Sequence, residues 1–203
     1  QPNLDKNGKY TCLFVDLYYE AFLNKIYSGN KALASASYQE QMSHLHNASF
    51  GDSNFYSEGL KKVGWSAYNV IYNCPEIQSA WAKEANNPLI FSQPNEVLKA
   101  QIISLQPDVI YFQDISIATR ELLEEIKPLT RLIIGQIASP IPKNSYLQGF
   151  DIIFTAIYFR RSTGNRLRVI GWRHLIFCFD PGFDLDLTLW RNGNPWRCPL
   201  IGL

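Results

Sequence analysis

PDVIYFQD at 107–114 is the stretch whose reading sets the fold. Four apolar residues, Val109 to Phe112, follow a proline that stops whatever precedes it and run into two polar residues, Gln113 and Asp114. That pattern describes a short strand buried on both faces, opening into a turn at its carboxyl end. Upstream, Pro94 and the segment EVLKAQIISL (96–105) carry helical spacing, and downstream ATRELLEEIK (118–127) is an amphipathic helix. The helix–strand–helix succession is the signature of a βαβ unit.

The same alternation extends in both directions. Toward the amino end lie KYTCLFVD (9–16), an apolar run closed by an acidic residue and read as the first strand, and SAYNVIYN (66–73), read as the second. Between them, after a tyrosine-rich stretch from Leu17 to Tyr27, SYQEQMSHLHN (37–47) is expected to be a helix capped by Ser37 with Glu40 three residues on. NFYSEGLKKVG is expected to be a helix capped by Asp52 or Ser53, burying Phe55, Leu60 and Val63 and ending on Gly64. IQSAWAKEA (77–85) is a further helix. Toward the carboxyl end, RLIIGQ (131–136) and FDIIFTA (150–156) are strands. The expected class is α/β, a Rossmann-like, mostly parallel sheet with helices on both faces. Residues 1–8 read as a flexible arm, 9–157 as one domain, and 158–203 as an irregular tail, a truncated or frame-disturbed start of a second domain. No element is expected in the arginine-rich stretch after Tyr158 or in LWRNGNPWRCPLIGL.

Composition narrows the class of function. The chain has 203 residues, 46% of them hydrophobic, enough for one substantial core, and its apolar runs fall far short of a bilayer span. Nineteen basic residues against eighteen acidic ones give a net charge of +1, without the basic footprint that nucleic-acid binding requires. Cys12, Cys74, Cys178 and Cys198 lack any CxxC spacing, which points away from a zinc site or a disulfide framework and toward a reducing, cytoplasmic setting. The Asn47-Ala48-Ser49 sequon has no secretory signal ahead of it.

No GxxxxGK[ST] loop or GxGxxG turn follows any of these strands, and no HExxH or GxSxG motif is present. His44 and His46 stand about 200° apart on a helix and cannot share one metal ion. Asp184 and Asp186 form a DxD pair, which nine aspartates make unsurprising by chance. The polar residues of interest are those at strand ends, because ligands of parallel sheets sit there. Gln113, Asp114, Gln136 and Thr155 end three successive strands, and His46, Asp52 and Ser53 border the loop HNASFGDS ahead of a helix. Asp114 is the candidate proton acceptor, with helix capping as its alternative role.

The segments FGDSNFYSEGLKKVGW (50–65), NCPEIQSAWAKE (73–84), PDVIYFQD (107–114), LIIGQIASPIP (132–142) and FDIIFTA (150–156) together resemble the amino-terminal half of CgeB-like glycosyltransferases of the GT-B fold. The resemblance implies an acceptor-side domain facing a second domain that binds a nucleotide sugar, with no metal site. It places Asp114, Gln113, Gln136, Thr155 and the loop of His46, Asp52 and Ser53 on the cleft. Phe177 to Pro181 is similar to a phrase that leads into the donor domain in that family, and nothing resembling such a domain follows. The expectation is a sugar-transferase half that binds no cofactor of its own, takes a glycan or small hydroxylated acceptor, and is inactive alone. A non-catalytic α/β binding or interaction module is the alternative. A flavodoxin-like cofactor module fits less well, since no paired acids or phosphate loop follow the first strand.

Overall fold

The structure, a computed structural model, describes residues 9–86, 93–139 and 146–155, with the backbone of three strands farther on. PDVIYFQD forms β3 (Val109–Phe112), next to β1 (Thr11–Asp16) on one side and β4 (Leu132–Ile137) on the other. β2 (Ser66–Ile71) pairs with the outer side of β1, and β5 (Ile152–Thr155) with β4. All of these pairings are parallel, in the order β2-β1-β3-β4-β5. This is the flavodoxin-type order of a doubly wound sheet, with its direction switch between β1 and β3. The expected α/β class with a parallel sheet is therefore what the chain adopts.

Small polar devices hold the sheet together at its amino ends. The buried Asp108 carboxylate accepts the Thr11 N–H at 2.9 Å, while its carbonyl accepts both Arg131 and Leu132 N–H at 3.1 Å. One aspartate thereby ties β3 to the starts of β1 and β4. Asp151 repeats the device, accepting the Ile133 N–H at 2.8 Å and pairing with Lys127.

Six helices are described: α1 (Glu20–Gly29), α2 (Tyr38–Asn47), α3 (Phe55–Lys62), α4 (Pro75–Glu84), α5 (Pro94–Leu105) and α6 (Arg120–Ile126). α5 stops where Gln106 turns left-handed at φ 48° and caps the helix with its N–H on the Ile102 carbonyl at 2.8 Å, and Pro107 follows where it cannot continue the helix. Leu98 and Ile102 of α5, with Leu122, Leu123 and Ile126 of α6, pack on Leu13, Val15, Ile110, Phe112 and Ile133 to form the main core. The opposite face of β1 and β2 is covered by α1 to α3, through one cluster around Tyr18, Tyr27, Met42 and Leu45 and another around Cys12, Phe14 and Ala67.

The capping box at Ser37 forms as expected: Ser37 Oγ accepts the Glu40 N–H while the Glu40 carboxylate accepts the Ser37 N–H at 2.9 Å. α3 departs from expectation. Its N-cap is Asn54, Ser53 Oγ instead donates to the His46 carbonyl at 3.0 Å, and Phe55 and Val63 are 75% and 70% exposed. Phe55 and Leu60 lie about 140° apart around a helix, so a single face cannot bury both. The side turned inward carries Ser57 and Leu60. Gly64 does end the helix in a left-handed conformation, at φ 94°. The tyrosine-rich stretch after Leu17, given no element above, contains α1.

Beyond residue 157, β6 (Leu175–Cys178) adds in parallel to β5, and β7 (Thr188–Arg191) pairs antiparallel with β8 (Asn194–Arg197). These strands arise where no element was expected; Asn192-Gly193 between the last two is a strong hairpin sequence. Most of the expected tail 158–203, the DxD pair and the arm 1–8 lie outside the described residues.

Candidate functional site

The carboxyl ends of the parallel strands lie along one edge, and the richest polar chemistry gathers at the β1/β3 switch. Asp16, the last residue of β1, is fully buried; its Oδ2 accepts a hydrogen bond of 2.8 Å from Asn69 Nδ2, and its Oδ1 has no partner. Burial pushes the Asp16 carboxyl up to about 7, with the Asp52 charge adding to the rise and the Asn69 bond opposing it. Tyr18 follows, its backbone N–H and carbonyl both clasped by the Asn73 side chain at 2.9 and 2.6 Å, its hydroxyl buried without a partner.

The loop at 48–54 closes over this point. Gly51 and Ser53 take positive φ angles of 57° and 45°, which turn the chain so that Asp52 faces solvent while Ser53 is buried against α2. Burial raises the titration of Asp16, Tyr56 and Tyr111, and the nearby Asp52 charge adds to the rise in all three, while Asp16 does the same for the buried Tyr18. His46 is half-buried, its Nε2 enclosed without a partner, and burial together with the Lys61 charge lowers its pKa, which keeps the ring neutral at neutral pH. His44 is exposed on another side of α2, in accord with the spacing.

Gln113 leaves β3 with its N–H on the Val15 carbonyl at 3.0 Å, which fixes its backbone across the switch; its Nε2 is enclosed without a partner. Gln136 of β4 accepts a hydrogen bond from the Tyr111 hydroxyl. Gln113, Gln136, Asp52 and Tyr111 are thus brought to one region, and His46 and Ser53 lie behind Asp52. Asp114 serves the capping role: its side chain accepts the Ser116 N–H at 2.8 Å at the start of the 3₁₀ turn Ile115–Ile117. Thr155 ends β5 beside Ile137, and its side chain lies outside the described residues.

Asp16, Tyr18, Asn69, Tyr56 and Tyr111 were not among the residues singled out. A polar residue closing a buried strand is the signal that marks Asp16, the same one that marks Gln113. Tyr111 sits within an apolar strand body, half-buried against Phe14 and Tyr56, and nothing in its sequence neighbourhood marks it. A groove of about 360 Å³ between Ala34–Ala36 and α4, lined also by Glu76 and Lys83, takes no residue from β1, β3 or β4. Among the described residues no group of three His, Cys, Asp or Glu side chains is placed to hold a metal ion, and no helix is long and apolar enough to cross a membrane.

Fold and side chains together define a doubly wound α/β protein with carboxylates and tyrosines gathered at its direction switch. No family model, curated protein or solved structure matches the chain.

Proposed function

We propose that this domain is the acceptor-side half of a GT-B-type glycosyltransferase, completed by a nucleotide-sugar-binding domain outside the described residues or on another chain. The observation that supports it most is the solvent-facing Asp52 carboxylate, set at the strand switch beside Tyr56, Tyr111 and the buried Asp16. In the proposed transfer, an acceptor hydroxyl oxygen bonds to the anomeric carbon of the donor sugar. The bond to the nucleotide diphosphate breaks, and the diphosphate leaves with that electron pair. The hydroxyl proton passes to a carboxylate of this cleft. Asp52 is the better placed for that role, because Asp114 already caps a turn. Gln113 and Gln136 hold the acceptor, and the cations that stabilise the departing diphosphate come from the other half.

A flavin or phosphate-bearing ligand suits the cleft less well. The segment after β1 is Leu17-Tyr18-Tyr19-Glu20, and carboxylates at 16 and 52 oppose an anion. The full burial of Asp16 against Asn69 favours the second reading, a binding module without catalysis, since a structural carboxylate is held that way. Calorimetric titration with UDP-, GDP-, ADP- and dTDP-sugars tests the half-enzyme reading: this chain should bind none of them tightly. Micromolar binding of any one would overturn it.

A further inference from the structure

A row of aromatic rings crosses the sheet beside this site on the face away from α5 and α6. Phe14 of β1 stacks on Tyr56 of α3 with ring centres 6.0 Å apart and 16° between planes. Tyr56 continues to Tyr111 of β3 at 6.2 Å, and Tyr111 to Phe154 of β5 at 6.2 Å and 25°. Phe14 is buried, whereas Tyr56 is 38% exposed and Tyr111 and Phe154 are partly exposed. Phe14, Tyr111 and Phe154 line one face of the sheet from β1, β3 and β5, Tyr56 of α3 lies against them with its plane tilted 31° from that of Tyr111, and polar groups stand beside the row. The Tyr111 hydroxyl and Gln136 are joined by a hydrogen bond, and the enclosed Gln113 Nε2 has a donor that nothing in the protein satisfies. A buried amide without a partner is costly unless a ligand takes it up.

Charge selects among flat ligands. The exposed Asp52 carboxylate, four residues ahead of Tyr56 in the loop that leads into α3, makes this end of the row electronegative, which disfavours nucleotides and other phosphates. A neutral ring with C–H bonds on one face and hydroxyls around its edge meets every feature. Its C–H face lies on the electron-rich ring faces, its oxygens accept from Gln113, and its hydroxyls donate to Asp52 and Gln136. We propose that Tyr56 and Tyr111 form a stacking platform for one pyranose ring of a neutral saccharide, oriented by Gln113, Gln136 and Asp52. The proposal rests on the acceptor-side reading and names the chemistry of that acceptor.

Saturation-transfer NMR with the methyl glycosides of glucose, galactose, mannose and N-acetylglucosamine, and with AMP as the phosphate-bearing counterpart, tests it. At least one glycoside should receive saturation, strongest at the hydrogens of one ring face, and AMP should receive none. Tyr56→Ala, at an exposed position that the fold tolerates, should weaken that glycoside by about three- to tenfold, the worth of one aromatic contact. Tyr111→Phe keeps the ring and should weaken it less, and Gln113→Leu should weaken it without loss of the folded spectrum. Saturation of AMP in place of the glycosides, silence with all four, or binding that Tyr56→Ala leaves unchanged would each overturn the platform. Glycoside binding combined with micromolar nucleotide-sugar binding would keep the platform and remove only the half-enzyme reading.

Discussion

Asp16 concentrates the electrostatics of this protein in one side chain. Its carboxyl is raised to about 7 in the folded chain, above the ordinary aspartate value of 3.8, chiefly by burial. Below about pH 4 the group is neutral in both states and costs nothing. Between about pH 4 and 7 the unfolded chain ionises first, so the folded state loses stability as pH rises, by a few kcal/mol at most, and above about pH 7 the loss is complete. Asp16→Asn keeps an acceptor for Asn69 and should therefore flatten that decline, raising the urea midpoint at pH 8 far more than at pH 4. Equal shifts at both pH values would count against an ionisable penalty at this site. The buried thiols lead to a second expectation. Cys12 is pushed up to about 12 and Cys74 to about 11 by burial, so iodoacetamide, mapped by peptide mass, should label both on the order of a hundredfold more slowly in the native chain than in urea. Comparable rates would mean that these cores open readily. Single-residue roles were the least legible part of the sequence. Gln113 and Gln136 stood out by ending strands, as Asp16 also does, but what sets Asp16 apart is its burial beside Asn69 and Asp52, fifty-odd and thirty-odd residues away and brought near by the fold.

At the scale of elements, β3 and its neighbours were readable because strands buried on both faces have no polar side to interrupt the apolar run. β4 shows how tightly they are seated. A Cβ on Gly135 would lie 2.5 Å from Ile115 Cγ2 and 2.8 Å from Phe150 Cε1, so β4 packs against the 3₁₀ turn after β3 only because this residue is glycine. Gly135→Ala should lower stability by about 1–3 kcal/mol, read as a reduced urea midpoint. An unchanged midpoint would mean that Ile115 and Phe150 give way freely. α1 and α3 were harder to read. Tyr18 and Tyr19 just ahead of α1 pack on Phe50 while Tyr27 within it joins Met42, Leu45 and Ile71, which blurs the helical stripe, and α3, eight residues long, sets its buried side with Ser57 and Leu60 and leaves Phe55 to solvent. The β7–β8 hairpin was signalled only by Asn-Gly, in a stretch whose arginines, prolines and tryptophans show no period.

Across the whole molecule, the crossover from β1 to β2 runs over one face and the return to β3 over the other, which leaves a crevice where the two directions part. Asp16, Tyr18, Asp52 and Gln113 lie at this point, and the aromatic row lies beside them. The class of fold was legible from the alternation of apolar strands and amphipathic helices. The strand order was not, because nothing in a single sequence states on which side of β1 the third strand inserts. Ligand binding at this switch is read out by backbone amide shifts during titration with the methyl glycosides. The amides of Asp16, Tyr18, Asp52, Tyr56, Gln113 and Gln136 should move together and saturably. Saturable shifts confined to Ala34–Ala36 and Glu76–Lys83, or none anywhere, would contradict binding at the switch.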